Sequence, residues 1–208
     1  MSVTAGWKSR GFWLRHVRMW HWVSSALCLA GMLLFSVTGI TLNHAGAIGA
    51  SAEVTELEAA LPPALQEELS ALERDGRGPV PEALAGWLSD ALSIETAGRT
   101  AEFSPIDIYI ALPRPGGDDW VSADLETGEV FYEATDRGWI AYLNDLHKGR
   151  DTGAVWGWFI DIFAAASIVF CLTGFFLLYT YAPMRPRTWP AVGAGFLIPV
   201  LLALFFIH

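Results

Sequence analysis

Residues 16–44 read HVRMWHWVSSALCLAGMLLFSVTGITLNH, and the run from Trp20 to Leu42 within them decides the fold. A helix that crosses the hydrocarbon core of a bilayer needs about 20 apolar residues in succession. This run supplies them without an acidic or a lysine or arginine side chain. Gly31 and Gly39 offer points where a neighbouring helix comes close. The small residues Ala45-Gly46-Ala47 that follow resemble a signal-peptide cleavage site. The apolar run is longer than the roughly 7–15 residues of a signal core, so the expectation is an uncleaved membrane helix.

Two further runs of the same kind lie toward the C-terminus. Ala154 to Tyr181 is broken only by Asp161, and Pro183 and Pro186 end it, with Arg185 and Arg187 in the short turn. Trp189 to Ile207 forms a third and leaves His208 last. The whole chain has 208 residues, is 53% hydrophobic and yet carries a formal net charge of −9. The two properties separate along it, because nearly all the acids fall between Glu53 and Asp151. Ten tryptophans suit a protein with two membrane interfaces. No basic stripe interleaves with aromatics, which argues against nucleic acid. Cys28 and Cys171 both sit inside apolar runs and read as small packing residues, with no disulfide.

Orientation follows from the positive charges. Lys8, Arg10, Arg15 and Arg18 precede the first run, and Arg185 and Arg187 lie between the second and third. Basic clusters stay cytoplasmic. The expected protein is therefore an α-helical membrane protein with three transmembrane helices and a small α+β domain between helices 1 and 2. Its parts are a cytoplasmic N-terminus (1–19), helix 1 (20–44), an extracytoplasmic domain (45–153), helix 2 (154–182), a cytoplasmic turn (183–188) and helix 3 (189–208).

Within the middle region, Val54 to Leu72 alternates apolar and acidic residues at helical spacing, with Pro62 and Pro63 inside it. Pro81 to Leu92 reads as a second helix that starts at a proline. Ile106 to Leu112 alternates as a strand, Pro115-Gly116-Gly117 turns, and Trp120 to Asp124 returns. Glu126-Thr127-Gly128 turns again before Val130-Phe131-Tyr132. A region this short builds a modest core. Its acids read as a solvated face that also suits a basic redox partner or a cationic substrate.

The five histidines are placed unevenly. His16 and His21 stand at the entry of the first run, His44 at its exit, His147 before the second run and His208 at the end of the third. Ionisable residues at membrane depth raise a functional hypothesis by default, and imidazole is a common axial ligand of haem. His44 and His147 are expected at one face on adjoining helices, with a haem iron between them. His16 and His21 point about 140° apart on one helix, so they do not bind one iron together. A haem at His21 then needs a second chain. His21 and His44 lie about 34 Å apart along a helix, which places them at opposite faces. Asp161 is a candidate to hold a ligand histidine in one tautomer, or to line a proton or cation path.

The stretch His16 to His44 resembles the first helix of the PepSY-associated transmembrane proteins, through His21 at the entry and Thr38-Gly39 near the exit. Leu143 to Tyr179 is similar to a later helix of that family, through Leu146-His147 and a second Thr-Gly at Thr173-Gly174. Trp120 to Phe131, WVSADLETGEVF, resembles the PepSY strand–turn–strand, with Thr127-Gly128 at the turn.

The resemblance implies a haem-b protein of the bacterial inner membrane, with residues 45–153 as a periplasmic PepSY-like domain. It would carry electrons from the cytoplasmic or quinol side to a periplasmic acceptor, such as a ferric chelate or a redox protein. On that basis His21, His44 and His147 would bind haem iron, with His16 a further candidate and one or two haems per chain or dimer. Larger relatives are periplasmic reductases for ferric chelates, which makes a transmembrane oxidoreductase one expectation. This chain has three runs rather than four or more, and it has no phosphate-cradling glycine motif for flavin or nicotinamide. The electron donor is then a quinol or a reductase partner, and the chain is expected to associate with itself. Two readings of other classes compete. One is a membrane-anchored adaptor whose PepSY-like module binds a peptide or protein. The other is cation transport through Asp161 and the histidines.

Overall fold

The computed structural model describes residues 10–48, 52–72, 75–184 and 187–207. Lys8, Arg185, Pro186 and His208, used above for topology and for the histidine pattern, lie outside the described residues. In chain order the elements are α1 (Arg10–Asn43), β1 (Glu53–Ala60), α2 (Pro63–Ser70), β2 (Gly76–Pro79) and α3 (Glu82–Leu92). Then come β3 (Thr100–Phe103), β4 (Asp107–Arg114), β5 (Gly117–Asp124), β6 (Glu129–Asp136) and α4 (Gly138–Lys148). The last are α5 (Gly153–Tyr181), a 3-10 turn (Ala182–Met184) and α6 (Thr188–Phe206).

Helices α1, α5 and α6 are long and apolar enough to cross a membrane, with mean hydropathy of 1.9, 2.2 and 2.1 over their most apolar windows. Their large apolar side chains face outward, Leu29, Leu33, Leu172 and Phe196 among them. In water that arrangement would be untenable, whereas lipid is a good solvent for it. Helix α1 begins at Arg10, so Arg10, Arg15, His16 and Arg18 ride on the same helix as the apolar run.

The chain divides into two compact units, one of residues through Leu34 together with those from Phe159 onward, the other the continuous stretch Phe35–Trp158. In the first unit, α1 meets α5 along His21, Ser24, Cys28 and Gly31, which recur at intervals of three and four residues and so share one helix face. Ser24 and Cys28 are buried. The Ser24 hydroxyl donates to the Trp20 carbonyl at 2.7 Å, and the Ser167 hydroxyl reaches the Cys28 sulfur at 3.6 Å. A Cβ at Gly31 would run into the ring of Phe163. Small residues thus let two backbones approach where lipid gives no hydrophobic drive to pack. Trp189 of α6 stands edge-on to Phe175 and Tyr179 of α5, with centroids 6.1 and 6.2 Å away.

The second unit holds a six-stranded antiparallel sheet in the order β1-β6-β5-β4-β3-β2. Strands β4 and β5 show why it folds: Ile108, Ile110, Val121 and Ala123 alternate inward and are buried. They pack with Leu69 of α2 and with Leu84 and Leu88 of α3 into one core that also takes in Val130 and Phe103. Helix α3 follows Pro81 as expected and ends at Ser93, which adopts a left-handed backbone with φ 59°.

The helix expected over Val54 to Leu72 is not formed. Residues Glu53–Ala60 pair with β6 in the register Leu57↔Tyr132, and only Pro63–Ser70 is helical. The physical reason lies in Pro62-Pro63. Each proline lacks an N–H and disfavours helix in the residue before it, so the segment splits there, and proline begins the second piece. Strands β2 and β3 and helix α4 were not anticipated either.

The β5–β6 turn is held by Asp124, whose Oδ1 accepts the N–H groups of Glu126 and Thr127 at 2.8 and 2.7 Å. The Thr127 N–H, favouring the charged form, is the main cause that holds the Asp124 carboxyl below the ordinary value of 3.8. A depressed carboxyl contributes stability above its unfolded pKa and loses it as pH falls through the folded one. The sheet is therefore expected to melt at lower temperature as the medium is acidified below the usual carboxylate range. Calorimetry of Asp124→Ala should show a shallower acid dependence than the parent chain.

Candidate functional site

Two histidines are held by helices other than their own. His21 of α1 lies against α5, where its Nδ1 is 3.1 Å from the Thr173 hydroxyl. Its ring stacks on Phe170, with centroids 4.8 Å apart and planes 12° from parallel. A Cβ on Gly174 would come 3.2 Å from His21 Cε1, so glycine leaves room for the imidazole. In the second unit, His147 of α4 lies against the end of α1. Its Nδ1 is 2.7 Å from the Thr38 hydroxyl, and its ring is 5.0 Å from that of Phe35. A Cβ on Gly39 would come 3.5 Å from His147 Cε1.

The two cradles are chemically the same. Each is a Phe-x-x-Thr-Gly turn of helix, Phe35 to Gly39 in α1 and Phe170 to Gly174 in α5. Phenylalanine and threonine three apart, with glycine next, face one side of a helix. Each presents one flat ring, one hydroxyl and one gap.

The hydroxyls are compatible with one tautomer of each imidazole. Thr173 Oγ1 has carbonyl acceptors in Val169 at 2.7 Å and Phe170 at 3.0 Å. Thr38 Oγ1 donates to the Phe35 carbonyl at 3.3 Å. A hydroxyl has one proton. With that proton turned to the backbone, each threonine accepts from histidine, so Nδ1 carries hydrogen. Nε2 of a neutral ring then keeps its lone pair. That is the form in which imidazole binds a metal, with the other nitrogen donating to a fixed oxygen.

The other histidines stand differently. His16 Nδ1 donates to the Phe12 carbonyl and His44 Nδ1 to the Ile40 carbonyl, both at 2.9 Å and both four residues back on α1. Each also keeps an Nε2 lone pair, but only its own helix orients it. His44 is exposed, and among the described residues no hydrogen bond or ring contact joins it to His147. Of the pair expected at one iron, His147 meets Thr38 and Phe35 of α1, and His44 is bonded to the Ile40 carbonyl of its own helix. Asp161 is exposed on α5 and has no hydrogen bond to His21 among the described residues. The partners that hold the rings, Phe35 and Phe170, were not singled out from the sequence, although the repeated Phe-x-x-Thr-Gly would have revealed them.

Several contacts hold helix α4 near His147. Thr41 donates to Asn144 at 2.8 Å, and buried Asp145 accepts from the Gly116 N–H at 2.9 Å. The Trp156 indole donates to the Leu146 carbonyl at 2.9 Å.

Among the described residues no group of three or more His, Cys, Asp or Glu side chains is placed to hold a metal ion. A bare zinc site needs three or four protein ligands. A porphyrin brings four of its own and asks the protein only for axial ligands. Single imidazoles are a donor set that suits a porphyrin better than a bare ion.

Fold and site together define a membrane protein with three candidate spans, an antiparallel α+β segment between the first and second, and two single-imidazole cradles. The family model described as "Putative PepSY_TM-like" matches residues 12–208, and the chain belongs to that family. Comparison with the curated proteins and with the solved structures returned no match.

Proposed function

We propose that this chain is a haem-b electron-transfer protein of the bacterial inner membrane, in which His21 and His147 would hold haem through Nε2. The observation that supports it best is the repeated cradle, in which a threonine hydroxyl meets Nδ1 and Nε2 is left for a ligand when that hydroxyl accepts. Haem would supply reversible one-electron chemistry at each cradle. The chain's own residues do the rest. Thr38 and Thr173 hold the tautomer, Phe35 and Phe170 limit rotation of the rings, and Gly39 and Gly174 admit them. A further imidazole for each haem would come from a second copy of the chain. Among the described residues His16 and His44 are the histidines uncommitted to a cradle, and Asp161 keeps its candidacy as a proton-path residue.

Arg10, Arg15 and Arg18 at the start of α1 favour a cytoplasmic N-terminus, with residues 45–153 periplasmic. Electrons would then pass from quinol or a reductase partner to a periplasmic ferric chelate or redox protein, for which the acidic α+β segment is the docking face. The test is direct. Purified from membranes, the chain is expected to show a Soret band and a pyridine haemochrome of b type. A haem-free preparation that still binds a peptide or protein through residues 45–153 would favour the adaptor reading and end this one.

A further inference from the structure

We infer that Asp145 is a positioning residue for His147, acting through a clasp that fixes α4 to the β4–β5 turn. The inference rests on the reading of His147 as a ligand. Asp145 is 4% exposed, and a carboxylate so buried is costly unless it is fully bonded. Its Oδ2 accepts the Gly116 N–H at 2.9 Å and faces Arg137 Nη2 at 3.3 Å. Arg137 in turn reaches Asp118 of β5 at 2.7 Å. The carboxylate thus ties α4 to the β4–β5 turn and, through Arg137, to β5.

Gly116 makes the approach possible. Its φ of +74° is left-handed, and a Cβ there would meet the Tyr142 backbone at 2.8 Å. Turn and helix touch backbone to backbone. The contacts of α4 then divide by side. Asp145 faces the hairpin, while Asn144 and His147 reach Thr41 and Thr38 of α1. The angle at which His147 meets Thr38 is accordingly set from the sheet side, by Asp145, and from the α1 side, by Asn144.

The experiment reads the ring itself. The full chain, in lipid nanodiscs without haem and with ring-15N histidine, should show His147 as a single Nδ1–H tautomer. Asp145→Ala is expected to move the His147 nitrogens toward a mixture of tautomers and to leave those of His21 in place. Gly116→Ala attacks the same clasp by another route and should reproduce the change. Asp145→Asn keeps an oxygen for the Gly116 N–H and should restore most of the His147 signature. The inference is overturned if His147 is unmoved in both alanine variants, or if His21 shifts equally in all three, which would mark a general loss of structure. Haem titration of the same samples separates the two readings: a parent chain that takes no haem removes the ligand role, whereas the nitrogen spectra judge the clasp.

Discussion

Alanine at His21 is expected to remove about half of the haem bound by the purified chain, alanine at His147 the other half, and the double substitution nearly all of it. The argument turns on separate cradles. His21 is held by Phe170, Thr173 and Gly174, and His147 by Phe35, Thr38 and Gly39, so neither set includes the other's ligand. Among the described residues no hydrogen bond joins His16 or His44 to either cradle. Haemochrome absorbance per mole of protein measures the loss. The halved samples should regain colour when free imidazole is supplied, since the threonine and the phenylalanine that oriented the ring remain. His16→Ala and His44→Ala should do much less, because those rings are tied only to carbonyls of their own helix. Loss of all haem from either single cradle variant would mean one shared site rather than two.

How far the sequence reveals this arrangement depends on what kind of signal each element carries. The three apolar runs are read from composition alone, because lipid imposes a length and excludes charge without reference to partners. The β4–β5 hairpin is equally legible, since Ile108, Ile110 and Val121 alternate and Gly116 turns. Strand β1 is not. Its residues are exposed almost throughout, so no buried stripe of period two announces it, and only pairing with β6 makes it a strand. Its glutamates at positions 53, 56 and 58 imitate the polar face of a helix. The histidines themselves stand out, as does each Thr-Gly. Which histidine meets which threonine depends on α4, a helix whose contacts with the hairpin and with α1 are long-range. Proximity to a helix end suggests His44 with His147, whereas the contact of His147 with Thr38 becomes visible only once α4 is held at Asp145 and Asn144.

Valine in place of Thr173 or Thr38 tests the chemistry of the cradle apart from its shape. Valine matches threonine in outline and removes only the oxygen, so the ring still fits between phenylalanine and glycine. The Nδ1–H then points at a methyl group, and an unsatisfied donor out of water costs roughly 1–3 kcal/mol. The imidazole responds by rotating or by moving its proton to Nε2, and either change withdraws the lone pair. Loss of such an outer hydrogen bond typically weakens metal binding by about 10–100-fold, and that range is expected at each cradle. Haem transfer to a globin apoprotein would measure it. The haem that remains should have a higher midpoint potential, because a ring no longer donating through Nδ1 is a poorer electron donor and stabilises the ferric state less. Serine keeps the oxygen and should restore both affinity and potential, which a purely steric role for threonine would not predict. If valine and serine behave alike, the threonine hydroxyl does not hold the imidazole, and the repeated cradle is packing rather than a ligand site.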